Sequence, residues 1–161
     1  MASPTSVKER AGAEIVYGPE ECRKRSTELL QELGFPSGVL PLKDLIECGR
    51  VHETGFVWMK QKEPSVHFLE GSKSLVRYGV EVTAYVEKSK MKRMSGVKSK
   101  QVLVWVPISE MSLHAHGNGN QILFKTPFGV GKSFPVQAFF TAEEEKGKNM
   151  LLKDHEEIKD M

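Results

Sequence analysis

Apolar positions follow two regimes along the chain, a helical period near the start and a strand period after about residue 49. Between Gly18 and Gly34, small or apolar residues recur at Cys22, Ser26, Leu29, Leu30 and Leu33, while Lys24, Arg25, Glu28 and Glu32 fall off that stripe. Such spacing gives a helix one apolar face. Pro19 suits the first helical position, Glu20 and Glu21 complement the positive end of the helix dipole, and Gly34 can take the left-handed conformation that ends a helix. A helix over 19–33 is predicted. The next eight residues, Gly34 to Pro41, hold two glycines and two prolines, which break both helix and ladder. Phe35, Val39 and Leu40 are too apolar for a solvated linker, so this stretch is read as an ordered loop pinned to the core.

Residues 42–47 read as a short helix or an irregular lead-in. Strands are expected near 49–53, 56–61, 65–69, 74–87 (bent near Gly79), 90–94, 102–106, 110–115, 121–126 and 131–136. Val80, Val82, Ala84 and Val86 alternate with Glu81, Thr83, Tyr85 and Glu87, the mark of a strand with one wet face. The run Val102-Leu103-Val104-Trp105-Val106 is apolar on both faces and is expected to be central. Gly117-Asn118-Gly119-Asn120 supplies residues tolerant of positive φ for a hairpin turn. The fold class expected is mainly β (α+β by count). It would be a β-sandwich or barrel-like arrangement of about 8–9 short antiparallel strands with one N-terminal amphipathic helix. The domain spans 14–140. Residues 1–13 read as a flexible arm and 141–161 as a charged, mobile tail, with a frayed helix around Glu143–Lys153. No fixed-period repeat suggests a solenoid or propeller.

Composition narrows the class without naming an activity. A chain of 161 residues, 39% hydrophobic and 27% charged, fits one globular domain with an adequate core. With 23 basic and 21 acidic residues the net charge is +2, so an electrostatic partner would need local clustering. Two cysteines, Cys22 and Cys48, fit buried thiols in a reducing compartment better than a disulfide framework. The N-terminus lacks the apolar run of a signal peptide, and no stretch approaches the roughly 20 apolar residues of a membrane span. The expectation is an intracellular, cytoplasmic monomer with no cofactor and no metal.

Several motifs imitate known chemistry. Gly129-Val130-Gly131-Lys132-Ser133 ends like a phosphate-binding loop, but Thr126 stands where its first glycine belongs, and Phe134-Pro135-Val136 suits a strand better than a helix start. His114 and His116 share a strand face as a metal pair would, yet His52, His67 and His155 are scattered and only Glu110 lies nearby. No G-x-S-x-G elbow is present; Ser37, Ser72 and Ser95 merely sit beside glycines, and Cys48 stands four residues before His52. Lys88, Lys90, Lys92, Arg93, Lys98 and Lys100 fall within thirteen residues without a carboxylate. No aromatic residue interrupts this run for base stacking, so no specific nucleic acid is expected. Lys88, Lys90, Lys92 and Arg93 are read as a basic face on an exposed strand. Phe56, Trp58, Phe68, Tyr78, Trp105 and Phe124 are the candidates to line an apolar ligand pocket, with core packing as the plainer role.

Four segments in order carry a family resemblance: Gly-Phe-Pro-Ser-Gly-Val-Leu-Pro (34–41), Glu-Thr-Gly-Phe-Val-Trp (53–58), Ser-Gly-Val-Lys-Ser-Lys (95–100) leading into Val-Leu-Val-Trp-Val (102–106), and Lys-Ser-Phe-Pro-Val (132–136). From about Ala13 to Phe140 the chain resembles the plant domain-of-unknown-function family 538. The resemblance implies a plant protein with a β-rich fold. Members have been likened to the lipid-binding bactericidal/permeability-increasing proteins, and some have been proposed as chlorophyll-associated or ester-hydrolysing. It supplies no catalytic motif to transfer. Unlike many relatives, this chain lacks a secretory signal and a cysteine just after Phe-Pro-Val. The leading expectation is a non-enzymatic module binding an amphiphilic small molecule or lipid. A carboxylic-ester hydrolase and a protein-interaction domain are the alternatives.

Overall fold

The computed structural model describes residues 8–116, 119–129 and 131–141. Its one long helix, α1, spans Pro19–Leu33, as the periodicity predicts. Cys22, Leu29, Leu30 and Leu33 are its buried face, and Gly34 closes it at φ 91°, its N–H donating to the Leu30 and Gln31 carbonyls. In the loop that follows, Phe35, Val39 and Leu40 are all buried, and the Tyr78 hydroxyl donates to the Val39 carbonyl at 3.0 Å. That bond ties an irregular segment to the sheet.

Ten antiparallel strands form a single sheet: β1 (Glu14–Tyr17), β2 (Leu45–Val51), β3 (Phe56–Gln61), β4 (Ser65–Leu69), β5 (Ser74–Glu87), β6 (Lys90–Gln101), β7 (Val104–Pro107), β8 (Glu110–His116), β9 (Gly119–Lys125) and β10 (Gly131–Pro135). Their order is β1-β2-β3-β5-β6-β8-β9-β10, with β4 added to β5 and β7 added to β6. The sheet curls around a core shared by α1, β2, β3, β5, β6, β8 and β9, but β1 and β10 do not pair and no barrel closes.

Several expected boundaries shift. Residues 45–47 belong to β2 and not to a helix, and β2 begins four residues before the expected 49. Leu45 is buried there, and Tyr17 of the unanticipated β1 pairs with Glu47. The basic strand runs to Gln101, well beyond the expected 94. The run 102–106 is not central. Val102 and Leu103 form the two-residue tip between Gln101 and Val104, and β7 pairs only with β6. Apolar character on both faces here marks an exposed tip, not a buried strand. The hairpin at 117–120 joins β8 to β9 with His116 opposite Gly119, but Gly117 and Asn118, like the helix expected around Glu143–Lys153, lie outside the described residues.

The long strands β5 and β6 divide the sheet. β3 pairs with the second half of β5 (81–85), whereas β4 pairs with its first half (74–78). Between these halves the register slips: five steps from Tyr78 to Thr83 face two steps from Val97 to Ser95. Gly96 sits inside this irregularity at φ 87°, and a Cβ there would lie 2.2 Å from the Glu81 carbonyl oxygen. The buried Gln61, last residue of β3, donates from Nε2 to the carbonyls of Tyr78 (3.1 Å) and Gly79 (2.9 Å). Its side chain continues the ladder where the backbone no longer can. β6 divides likewise, pairing with β8 at Lys90 and Met91 and with β7 at 98–101. The sheet therefore opens into two arms, the far ends of β4–β7 on one side and β8–β10 on the other.

Candidate functional site: a lysine-rimmed cleft between two arms

A cleft of about 460 Å³ occupies the opening between the arms. Leu69, Val76, Ile108 and Met111 are buried residues along its floor. Phe124 and Phe134 wall it from the β9–β10 side, with ring centroids 5.7 Å apart, and Phe139 backs both at 5.4 and 6.2 Å. Lys73, Lys100, Lys125 and Lys132 are all exposed and lie along its lining, and no carboxylate does. Lys125 pairs with Glu110 at 3.7 Å, whereas Lys73, Lys100 and Lys132 have no ion-pair partner among the described residues. Lys132 Nζ reaches Gln101 Oε1 at 3.5 Å, so the arms touch across the mouth.

The six aromatic candidates do not converge. Phe124 alone lines this cleft. Phe56 and Trp58 are buried in a second apolar cluster with Val51 and Tyr85. The Trp58 indole N–H donates to Glu47 at 2.7 Å, and Arg10, from the segment read as an arm, stacks 4.7 Å above its ring and pairs with Glu81. Tyr78 is fully buried, and burial raises its hydroxyl pKa. Phe68 is half-exposed on β4, and Trp105 lies opposite Lys100 on the outer face of β7. The basic run is likewise split by the length of β6. Lys92 pairs with Glu87 at 3.1 Å and the Arg93 guanidinium lies 5.6 Å from the centre of the Tyr85 ring, while Lys88 is exposed in the β5–β6 turn and Lys90 pairs across the strands with Glu87. Lys98 and Lys100 stand towards the other end of β6, five to eight residues beyond Lys92 and Arg93, roughly 20 Å away at the rise of an extended strand.

Nucleophile candidates fare differently. Cys48 is buried and burial pushes its thiol up to about 12, so it stays protonated near neutrality; Ser26 Oγ is its contact at 3.7 Å. His52 instead faces Glu14 at 3.5 Å. Cys22, also buried and raised by burial, donates to the Val16 carbonyl. Ser72 bonds Ser74 and Ser95 bonds Thr83. A different pair meets: His114 Nε2 lies 3.1 Å from Ser133 Oγ, reaching over β9 between strands that are not neighbours. Sequence spacing gave no hint of this, because 19 residues and an intervening strand separate the two. The pair sits on exposed surface, on the strand faces opposite Met111 and Phe134, and no carboxylate orients the histidine among the described residues. Lys132 and Ser133 lie on a strand followed by a 3-10 turn, so the Gly-Lys-Ser run has no phosphate-binding helix behind it. Among the described residues no three His, Cys, Asp or Glu side chains gather as metal ligands, and no helix is long and apolar enough to cross a membrane.

A smaller groove of about 240 Å³ lies between α1 and β2, above Cys48 and Trp58. Two of its rim carboxylates are already engaged: Arg50 donates to both oxygens of Glu32 at 2.7 and 3.2 Å, which holds that carboxyl below its ordinary range, and His52 faces Glu14.

The family model for DUF538, a protein of unknown function, matches residues 26–140. The chain belongs to the DUF538 family. No curated protein and no solved structure matches it. The matched span starts within α1 and ends just after Phe139, so it includes both arms of the cleft.

Proposed function

We propose that this DUF538 protein is a non-enzymatic binding module for an amphiphile with one acyl chain and an anionic headgroup, held in the cleft between the two arms. The observation that carries this reading is the polarity of the cleft: buried aliphatic and aromatic side chains at its floor, four lysines and no carboxylate along its lining. Its volume of about 460 Å³ lies within the range of small-ligand sites. An alkyl chain on the floor gains from leaving water, and a carboxylate or phosphate at the mouth gains charge-assisted bonds from lysines.

The test is a titration of the full chain with a fluorescent fatty acid, followed by displacement with palmitate. Saturable one-to-one binding is expected. Val106→Trp, which fills the cleft from β7, should abolish it. Lys100→Glu with Lys132→Glu should weaken palmitate at least tenfold and hexadecanol little. Unsaturable binding, or equal affinity in the Val106→Trp protein, rejects the reading.

The contact between His114 and Ser133 favours, as a second reading, an ester hydrolase with Ser133 as nucleophile and His114 as base. It ranks lower because the pair lies on exposed surface outside both clefts described above, and no carboxylate orients the imidazole among the described residues. Turnover of a p-nitrophenyl ester that disappears in Ser133→Ala would promote it over binding.

A further inference from the structure

The end of the molecule that carries the cleft mouth also concentrates its exposed apolar side chains. Of the five large apolar residues more than 60% exposed among the described residues, four lie there: Val102 (91%), Leu103 (87%), Val104 (61%) and Phe128 (77%); the fifth is Tyr17. Topology brings them together. β6 runs towards this end and turns at Val102-Leu103 into β7, and β9 ends at Lys125 before the 126–129 segment, whose Phe128 lines the same cleft as Lys100 and Gln101. Gln101 and Lys132, one from each arm, touch across the gap.

Folding alone does not account for the tip. Val102 has φ 56°, a conformation hairpin turns normally give to glycine or asparagine, and a β-branched residue there is strained. An almost fully exposed valine recovers none of that cost by packing. Strain and exposure together at one position point to a role outside the fold. The charges around it are mostly positive, Glu70 of the turn between β4 and β5 being the exposed exception. Lys73, Lys100 and Lys132 lack ion-pair partners among the described residues, and Arg77 stands beside Lys98 on the outer face of the same arm. On that face Phe68, Leu75 and Trp105 flank Lys100, which stands near the end of β6 at the rim between this face and the cleft, so an aromatic and basic surface runs up to the tip.

We propose that this end docks on an anionic phospholipid bilayer, with Val102, Leu103 and Phe128 entering the headgroup layer and the surrounding lysines pairing with lipid phosphates. Aliphatic side chains at a protruding tip beside unpaired cations suit the boundary between acyl chains and headgroups. A second copy of the chain would bring lysine against lysine. A nucleic acid would use the cations and rings but leave the almost fully exposed aliphatic side chains of Val102 and Leu103 in water. The proposal goes beyond the cleft reading by placing the mouth where an amphiphile is concentrated, and it does not need the cleft to be filled.

The test is co-flotation of the full chain with phosphatidylcholine vesicles, with and without phosphatidylglycerol. Retention is expected on the anionic vesicles at low salt, with marked weakening at high salt and little retention on pure phosphatidylcholine. Val102→Asp with Leu103→Asp should lose retention more than tenfold while unfolding at an unchanged or higher temperature. Lys100→Ala with Lys132→Ala should weaken it about 30-fold, taking roughly 1 kcal/mol per lysine near an anionic surface. The Asp variant should still bind the monomeric fluorescent fatty acid, and Val106→Trp should still float; these two results separate docking from cleft binding. The proposal is overturned if the protein floats with neither vesicle, or if the Asp variant floats as well as the unmodified chain. It is also overturned if sedimentation velocity shows a dimer that only the Asp variant dissolves, which assigns the tip to a second copy.

Discussion

Val102 carries a strained backbone conformation and His67 a lowered pKa, and each has a measurable consequence. At Val102 the left-handed backbone opposes a β-branched side chain, and 91% exposure means little packing is lost on replacement. Val102→Asn should therefore stabilise the fold by about 1 kcal/mol, raising the melting temperature by roughly 2–4 °C for a chain of this size. An unchanged melting temperature would remove strain from the case for the tip. His67 lies edge-on to Tyr78 at 5.7 Å, and burial, with Lys43 nearby, holds its pKa below the ordinary 6.5. The unfolded chain binds this proton at a higher pH than the fold does, so stability is whole above about 6.5 and falls as pH drops below it. The Glu32 carboxyl, lowered by Arg50, contributes stability present above its ordinary 4.5 and lost as pH falls below that value. Urea midpoints should thus decline in two windows, and His67→Phe should flatten only the upper one.

At the scale of elements, the break in β5 makes the arms. On the other edge of β5, β3 gives way to β4 between Tyr78 and Glu81, the same stretch over which the β5–β6 ladder is interrupted. Gln61 joins the two halves by serving the carbonyls of Tyr78 and Gly79, and Ser65 donates to Gln61 Oε1 at 3.3 Å. Gln61→Leu keeps the volume but leaves these buried acceptors without donors, and should cost about 1–3 kcal/mol in a chemical-denaturation curve. A cost near zero would mean that water replaces the amide. Part of this scale was legible in advance: the bend near Gly79 is the irregularity itself, and the span of β5 was read as Ser74–Glu87 from its alternation. The β6–β7 tip was not. Five apolar residues in a row score as a buried strand by pattern, and only the register Gln101 opposite Val104 makes two of them a turn.

For the whole molecule, local clustering of charge matters more than the net charge of +2. Cations of four different segments meet at one mouth, above a floor supplied by β4, β5, β8 and the 104–109 stretch. If an acyl chain occupies that floor, each added methylene should tighten binding about three- to fourfold, since burying one is worth about 0.8 kcal/mol. The gain should stop once the chain outgrows the cleft. A series of saturated fatty acids read by displacement would find that plateau, and a series with no length dependence would place the chain outside the cleft.

The features legible in the sequence are those written in neighbouring residues. Pro19, the 3.6-residue stripe and Gly34 delimit α1 because caps and periodicity act within a few turns. Alternation marks the second half of β5, since strand faces repeat every two residues, and β3 and β4 are short runs bounded by turn residues. The DUF538 segments are legible for the same reason, as short runs in fixed order. Which strands pair, where Phe124 and Trp58 part company, how Ser133 meets His114 and how the mouth collects its lysines were decided only by tertiary structure. Each joins residues separated by many positions, and the contacts follow from how long, bent strands curl around a shared core, which no local pattern encodes.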